Sequence, residues 1–381
     1  MIRLTSHHLN RLTRTGLMCL FGVAVCALVP GASAQSVAQK ATGGKKAVAP
    51  ASGASASKAA RTPRPATTPK YSAASSRARQ LRLARARAAA RARETAQAAQ
   101  PRFKVDAQGA VVPDIRAEAA IIYNPTTDQV VWQQKAFDQH SIASITKVMT
   151  ALCFLEDTPD LSQAVMVDSA DVRGASVTHL RAYERVSVQN LLHLLLIASD
   201  NAAARTLARV SPYGASGFVV RMNQKAEELG LQSTRYADPS GLVAENVSSA
   251  YDMARLISYA AQDELISTIM RTEEYSFRTS RRALTIHSTN QLLRSPEIDV
   301  RGGKTGFITR SGYCLATLLR LPDMNQTLAV VVLGAKSNAG RFWETRHLLT
   351  WISSKAPDLV LPGRQGQQAP EPHQIPQTPH H

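Results

Sequence analysis

Acidic side chains are almost missing from the first 105 residues of this 381-residue chain, where Glu94 alone faces nineteen lysines and arginines. The rest, residues 106–381, holds 26 basic and 27 acidic side chains, so the formal net charge of +17 belongs to the leading segment. Aromatic residues are scarce as well, 5% overall, and Tyr71 is the only one between residues 35 and 100. A stretch that poor in large apolar groups cannot bury enough area to offset its ordering entropy, which excludes a packed core there. Cysteine occurs four times, and Cys19 and Cys26 fall within the first 34 residues. The remaining two are too few for a disulfide-stapled scaffold. Cys153 sits in an apolar helix pattern and Cys314 in an apolar strand pattern; a bridge and two buried thiols are both open, and the apolar settings favour buried thiols. Neither has a histidine-bearing motif beside it, so no cysteine nucleophile is expected. The apolar run from Leu17 to Val29 is thirteen residues long, short of the roughly twenty that span a bilayer.

That run is informative in another way. Arg3, Arg11 and Arg14 precede it and Ala32-Ser33-Ala34 follow it, the layout of a secretory signal peptide cleaved after Ala34. Residues 1–34 are therefore expected to direct export, to the periplasm, and no cysteine at the cleavage site offers a lipid anchor. Residues 35–105, rich in Ala, Ser, Lys, Arg and Pro, are expected to form a disordered basic linker. Its last part, RARQLRLARARAAARARETAQAAQ, contains good helix formers, with arginines spread around any helix it forms and no apolar face for membrane burial. Such an arm fits non-specific contact with an anionic membrane or wall polymer, or a plain solvated spacer. The same composition in the cytoplasm would point to nucleic acid; the leader makes that partner unexpected.

From about Ala117 the texture changes. EAAIIYNPTTDQVVWQQKA reads as a hairpin around Asn-Pro-Thr-Thr-Asp. Helical periodicity follows in ITKVMTALCFLE, VQNLLHLLLIASDNAAARTLARV and GFVVRMNQKAEELG. GYCLATLLRL and TLAVVVLGA read as strands, and GRFWETRHLLTWISS as a closing helix. Strands at both ends with helices between them predict one mixed α and β domain over residues 106–354, its termini sharing a sheet. The tail, 355–381, is Pro, Gln and His rich and expected to be disordered; His373, His380 and His381 could take up adventitious metal there.

Three short signals carry the chemistry: Ser144-Ile-Thr-Lys147, Ser199-Asp-Asn201 and Lys304-Thr-Gly306. Each is weak alone, since Ser55 to Lys58 repeats the first spacing and Ser288-Thr-Asn290 imitates the second. Their order and their separations of 55 and 105 residues match the three active-site motifs of serine penicillin-recognising enzymes. On a helix, residues three apart share a face, so Lys147 can reach the Ser144 hydroxyl. In the first helical turn Ser144 also meets free backbone N–H groups and the positive end of the helix dipole. Lysine is a base only when its ammonium is destabilised, here by burial and by a second cation, for which Lys304 is the candidate. N-capping is the competing role for Ser144, and also for Ser199 and Asn201. Ser199 can relay a proton to a leaving amine, and Asn201 can hold a substrate amide through donor and acceptor together. Asp200 is expected to point away and make structural bonds. Lys304 and Thr305 would face a substrate carboxylate on a strand edge kept open by glycine, Gly306 included. Backbone N–H groups of Ser144 and Phe307 would form an oxyanion hole. No metal or cofactor is expected.

The chain resembles the low-molecular-mass penicillin-binding proteins, the D-alanyl-D-alanine carboxypeptidases and endopeptidases of peptidase family S11. IASITKVMTA, LLIASDNAAARTLA, YADPSGL, GGKTGFITRSGYCLA and a late Gly340-Arg341 pair carry the resemblance, over roughly residues 115–350. It implies a β-lactamase/transpeptidase-like fold, an antiparallel sheet flanked by helices plus a helical subdomain. It implies attack by Ser144 on a peptidoglycan stem peptide with Lys147 as base, an acyl-enzyme cleared by water, and β-lactams as covalent inhibitors. Arg341 resembles the family's arginine that helps hold the substrate carboxylate. Asp200 departs from the glycine common in the family's carboxypeptidases, and no room remains for the C-terminal β domain and membrane helix some relatives carry. The shorter endopeptidase branch is the closer likeness. Two rivals remain: a class A-like β-lactamase, whose Glu-x-x-x-Asn pattern is missing from YADPSGLVAENVSSAYD, and an inert wall-binding scaffold that uses the basic arm.

Overall fold

The strand Ala119–Asn124, β1, is buried on both faces, and its side chains divide by period two. Ile121 and Tyr123 enter one apolar core and Ala120 and Ile122 enter another. The computed structural model describes residues 73–321 and 326–360. Within it β1 turns through residues 125–128 into β2, Gln129–Gln134, which is the expected hairpin. Near the other end lie β3, Asp299–Ile308, β4, Gly312–Leu321, and β5, Gln326–Ala335. The five strands form one antiparallel sheet in the order β3-β4-β5-β1-β2. The chain's early and late strands thus meet where β5 pairs with β1, and β3 is left as an edge.

One face is covered by the closing helix α8, Asn338–Val360, whose Phe342, Leu348, Trp351 and Ile352 recur at helical spacing against Leu315, Leu319, Val330 and Val332. The other face carries the helices between β2 and β3: α2, Thr146–Leu155; α3, Val188–Leu196; α4, Asn201–Val210; α5, Gly214–Glu228; α6, Ala250–Ala260; and α7, Glu264–Arg271. Their starts follow local chemistry. Ser187, Asp200, Ser249 and Asp263 each accept a backbone N–H as N-caps of α3, α4, α6 and α7. α2 is buried along nearly its whole length, which explains why its sequence is apolar all round. The fold is the expected mixed α and β one, an antiparallel sheet flanked by helices.

Three boundaries differ from expectation. The last part of the segment read as a disordered linker is a helix, α1, Ala73–Ala99; Ala and Arg are strong helix formers, and His347 Nε2 meets the Ala99 carbonyl at 3.1 Å. The expected boundary at residue 105 falls inside a small hairpin, Phe103–Val105 with Val111–Pro113, held by Arg102 to Asp114 at 2.9 Å and by Trp351 Nε1 donating to the Val111 carbonyl. α8 runs to Val360, past the start expected for the disordered tail. The signal peptide, its cleavage site, most of the linker and the tail histidines lie outside the described residues. Cys153 and Cys314 are both free and buried, and burial pushes their thiols up to about 12 and about 11. No helix among the described residues is long and apolar enough to cross a membrane.

Candidate active site

Ser144 lies in a single 3-10 turn, Ala143–Ile145, that runs directly into α2. The N-cap positions of the two elements are Ile142 and Ile145, neither with a capping side chain. The capping role open to Ser144 is therefore not the one it plays. Its Oγ stands 2.9 Å from Lys147 Nζ and 3.5 Å from the Ser240 carbonyl. Just before it, Ala143 has φ +47°, a conformation that costs a non-glycine residue about 1–2 kcal/mol and persists only when its surroundings impose it.

The turn Asp238-Pro-Ser-Gly241 imposes it. Asp238 gathers the N–H groups of Ser240, Gly241 and Val243 and the Asn246 amide. Gly241, φ +78°, comes so close to the nucleophile turn that a Cβ there would stand 2.0 Å from the Ala143 oxygen. Thr150 of α2 ties the same turn down through the Pro239 carbonyl at 2.6 Å.

Lys147 is fully buried. Besides Ser144 Oγ, its Nζ meets Asn201 Oδ1 at 2.6 Å and the Ser240 carbonyl at 2.5 Å. Burial brings its pKa down to about 7 against the opposing pull of the Asp238 and Asp200 carboxylates. A neutral amine has two N–H bonds and one lone pair. The two fixed oxygens take the N–H bonds, and the lone pair is left for the Ser144 O–H. Lys304, the expected second cation, stands close enough for the two lysines to repel each other. Burial first, then Lys147 and Arg341, hold the pKa of Lys304 well below the usual lysine range.

In the second motif Ser199 adopts φ +59° between α3 and α4. Asp200 is the N-cap, accepting from Ala203 N at 3.0 Å, so the capping role open to its neighbours falls to the residue between them. Asp200 is wholly buried and its other oxygen accepts from His179 N at 2.5 Å and lies 3.3 Å from His179 Nδ1. Ser199 Oγ is thus free to take a hydrogen bond from Lys304 Nζ at 2.8 Å. Asn201 differs from expectation. Its Oδ1 holds Lys147 and its Nδ2 donates to the Ala175 carbonyl at 2.7 Å, so its amide serves the lysine first.

The third motif lies on edge strand β3. Its glycines answer to the protein interior as much as to an open edge. A Cβ on Gly306 would approach the Ile142 oxygen to 2.6 Å, and one on Gly303 would approach Asn290 Nδ2 to 2.7 Å. β3 therefore presses directly on the nucleophile turn. Arg341, from the first turns of α8, donates to the Gly306 and Cys314 carbonyls at 3.0 and 3.2 Å and to Asn338 at 2.5 Å. Its Nε is buried without a partner, and burial lowers the guanidinium's pKa to about 10. Phe307 is half exposed and stacks on Tyr313 at 4.2 Å.

Every residue expected in the site except Lys147 and Lys304 lines one groove of about 480 Å³, and no acidic side chain does. The two lysines are buried beneath it, 2.9 and 2.8 Å from the hydroxyls of Ser144 and Ser199. Sequence reasoning gave no role to the Ser176-Val177 wall or to Thr289, and it noted the Asp238 turn only as the YADPSGL segment. Thr289 sat inside the Ser288-Thr-Asn290 triplet set aside as a chance match.

The profile of the peptidase S11 family, described as D-alanyl-D-alanine carboxypeptidase, matches residues 106–337. A D-alanyl-D-alanine endopeptidase of Escherichia coli (strain K12) is 32% identical over 253 residues, covering 65% of this chain and 81% of that protein. The D-alanyl-D-alanine carboxypeptidase DacF of Bacillus subtilis (strain 168) is 30% identical over 248 residues, covering 63% of this chain and 62% of that protein. The crystal structure of the Streptomyces K15 DD-transpeptidase superposes with a TM-score of 0.60 at 26% identity, over 64% of this chain and 98% of that one.

Proposed function

The chain belongs to peptidase family S11, the D-alanyl-D-alanine peptidases, and on that premise we propose that it is an exported serine DD-endopeptidase that opens peptide cross-links of peptidoglycan in cell-wall remodelling. The observation that carries the mechanism is the buried Lys147 amine 2.9 Å from Ser144 Oγ, its pKa lowered by burial to about 7, so that its neutral form offers a lone pair to the hydroxyl proton. Lys147 takes the hydroxyl proton as Oγ attacks the carbonyl carbon of the scissile amide. Negative charge on the carbonyl oxygen is met by the backbone N–H groups of Ser144 and Phe307. Ser199, hydrogen-bonded to Lys304, relays the proton held by Lys147 to the departing amine as the C–N bond breaks, so that the amine leaves neutral and Ser199 and Lys147 both regain their starting protonation. Water then attacks the ester on Ser144, with Lys147 again as base.

Substrate polarity follows from the charge of the groove. Lys304, Thr305 and Arg341 surround a space with no acidic lining, which suits the carboxylate that the leaving amino acid carries beside its scissile nitrogen. A β-lactam presents a carboxylate in the same relation to its strained amide and would acylate Ser144. Two facts favour a cross-link over a terminal D-alanine. The chain covers 81% of the endopeptidase relative but 62% of the carboxypeptidase relative, and the second motif has Asp200 at its centre. Helix α1, with exposed arginines on all sides, is the part suited to screened, non-specific contact with anionic wall or membrane surface.

Fluorescent penicillin should label the wild type and not Ser144→Ala. Digestion of purified cross-linked muropeptide dimers should yield monomers. Release of terminal D-alanine alone would replace the endopeptidase assignment with a carboxypeptidase one, and an unlabelled, folded wild type would leave an inert scaffold.

A further inference from the structure

The Ser288-Thr-Asn290 triplet, a sequence imitation of the second motif, lies on the groove. Its backbone bridges the two sides of the site: Thr289 N donates to the carbonyl of Ile197, just past the end of α3, at 3.1 Å. Its side chain reaches the other side, with Thr289 Oγ1 2.6 Å from Thr305 Oγ1. Asn290 locks the segment in place by accepting from Leu292 N, while its own Nδ2 packs where a Cβ on Gly303 would stand. Thr289 and Thr305 both line the groove.

We propose that Thr289 is a positioning residue for carboxylate recognition, fixing the Thr305 hydroxyl so that its proton points into the groove. The inference rests on the peptidase reading of the site and deepens it.

Proton counting gives the direction. Two hydroxyls own two protons, and the 2.6 Å contact consumes one. If Thr305 donates to Thr289, it has nothing left for an anion. If Thr289 donates to Thr305, the Thr305 proton remains free beside Lys304 and Arg341. A carboxylate in the groove selects the second arrangement, because each bond in the chain Thr289 to Thr305 to carboxylate polarises the next. Without a partner at position 289, nothing holds the Thr305 oxygen, rather than its methyl group, toward the groove. Thr289 touches no reacting atom on this account and acts through Thr305 alone.

The test compares second-order acylation rate constants for benzylpenicillin and its methyl ester, which differ only in the carboxylate, on wild type, Thr289→Val and Thr289→Ser. Losing one neutral hydrogen bond of this kind corresponds to about a three- to tenfold change. Thr289→Val should slow acylation by the acid about that much and leave the ester's rate as it was, contracting the acid-to-ester ratio. Thr289→Ser should keep the wild-type ratio. An unchanged ratio in Thr289→Val, or equal loss with acid and ester, overturns the inference while leaving the peptidase assignment standing. A wild type that neither compound acylates overturns the assignment first, and the inference with it.

Discussion

The two walls of the groove each bury a lysine, and the company each keeps is opposite in kind. On the helical wall Lys147 has fixed oxygens at three points and the carboxylates of Asp238 and Asp200 near enough to oppose its loss of charge. On the strand wall Lys304 has a hydroxyl and one carbonyl, and the nearby charges, Lys147 and Arg341, are cations. The same residue type, equally buried, is thereby given two jobs. The first environment tunes a base whose pKa of about 7 lets it exchange a proton near neutrality. The second disfavours the charged form of its amine, and an anion in the groove would favour it again. Burial alone makes neither; the difference lies in what stands next to each amine.

The largest effect should come from breaking the helical wall at its centre. Lys147→Met keeps the apolar stem and removes the base, and acylation by benzylpenicillin should fall by about 10²–10⁴-fold. Wild-type acylation should rise with pH through about 7 and level off above it, since the neutral amine is the active form. Stability responds with the same sign. The unfolded chain binds a proton at Lys147 up to pH 10.5 and the folded one releases it near 7, so in that window the unfolded state holds more protons. Folding stability contributed by this group is therefore full above 10.5 and is lost as pH falls toward 7, with a slope of up to about 1.4 kcal/mol per pH unit. Urea titrations from pH 7 to 10 on wild type and Lys147→Met read the difference. A pH-independent acylation rate would end the assignment of Lys147 as base.

Breaking the strand wall should cost less and show in a different constant. If Arg341 meets the carboxylate as proposed, Arg341→Ala removes a charged hydrogen bond, a loss of about 1.5–3 kcal/mol or roughly 10–100-fold. It should weaken the concentration dependence of acylation and change the limiting rate less. Stopped-flow acylation against penicillin concentration separates the two, and loss confined to the limiting rate would place Arg341 with the chemistry instead.

The helical wall was more legible in the sequence than the strand wall, for a physical reason. Ser144 and Lys147 are three residues apart on one turn, so their contact is a property of local geometry. The apolar runs of AAIIYN, β4 and β5 likewise suit strands buried on both faces. The strand wall is assembled from remote pieces. Arg341 arrives from α8, and Thr289 gains meaning only when Ile197 and Thr305 stand on either side of it. Gly303 and Gly306 looked like concessions to substrate; their closest neighbours are Asn290 and Ile142. Asn201 lines the groove, but which atoms its amide engages depends on Ala175 and Lys147, neither adjacent to it in sequence. α1 was read as disordered because its composition offers no core, while Ala and Arg propensity suffices for a helix.

The smallest effect should come from a residue that shapes the helical wall and reaches the base only through its charge. Asp200 is buried, caps α4 through Ala203 N, and draws in His179, so it ties the 174–180 segment to the second motif. That segment is also held by Asn201 N donating to the Val177 carbonyl at 3.0 Å, and it supplies Ser176 and Val177 to the groove. Asp200→Asn keeps the shape and one acceptor oxygen but turns an NH₂ toward one of the two N–H donors. An unpaired buried donor costs about 1–3 kcal/mol, which for a domain of this size lowers the melting temperature by about 3–9 °C. Acylation should fall no more than about threefold, because Asn201 retains its bond to the Ala175 carbonyl and Lys147 retains Ser240. Calorimetry and penicillin labelling on the same variant measure both. A loss of acylation comparable to Lys147→Met would mean that the conformation of Ser199, and not the lysine alone, governs the helical wall.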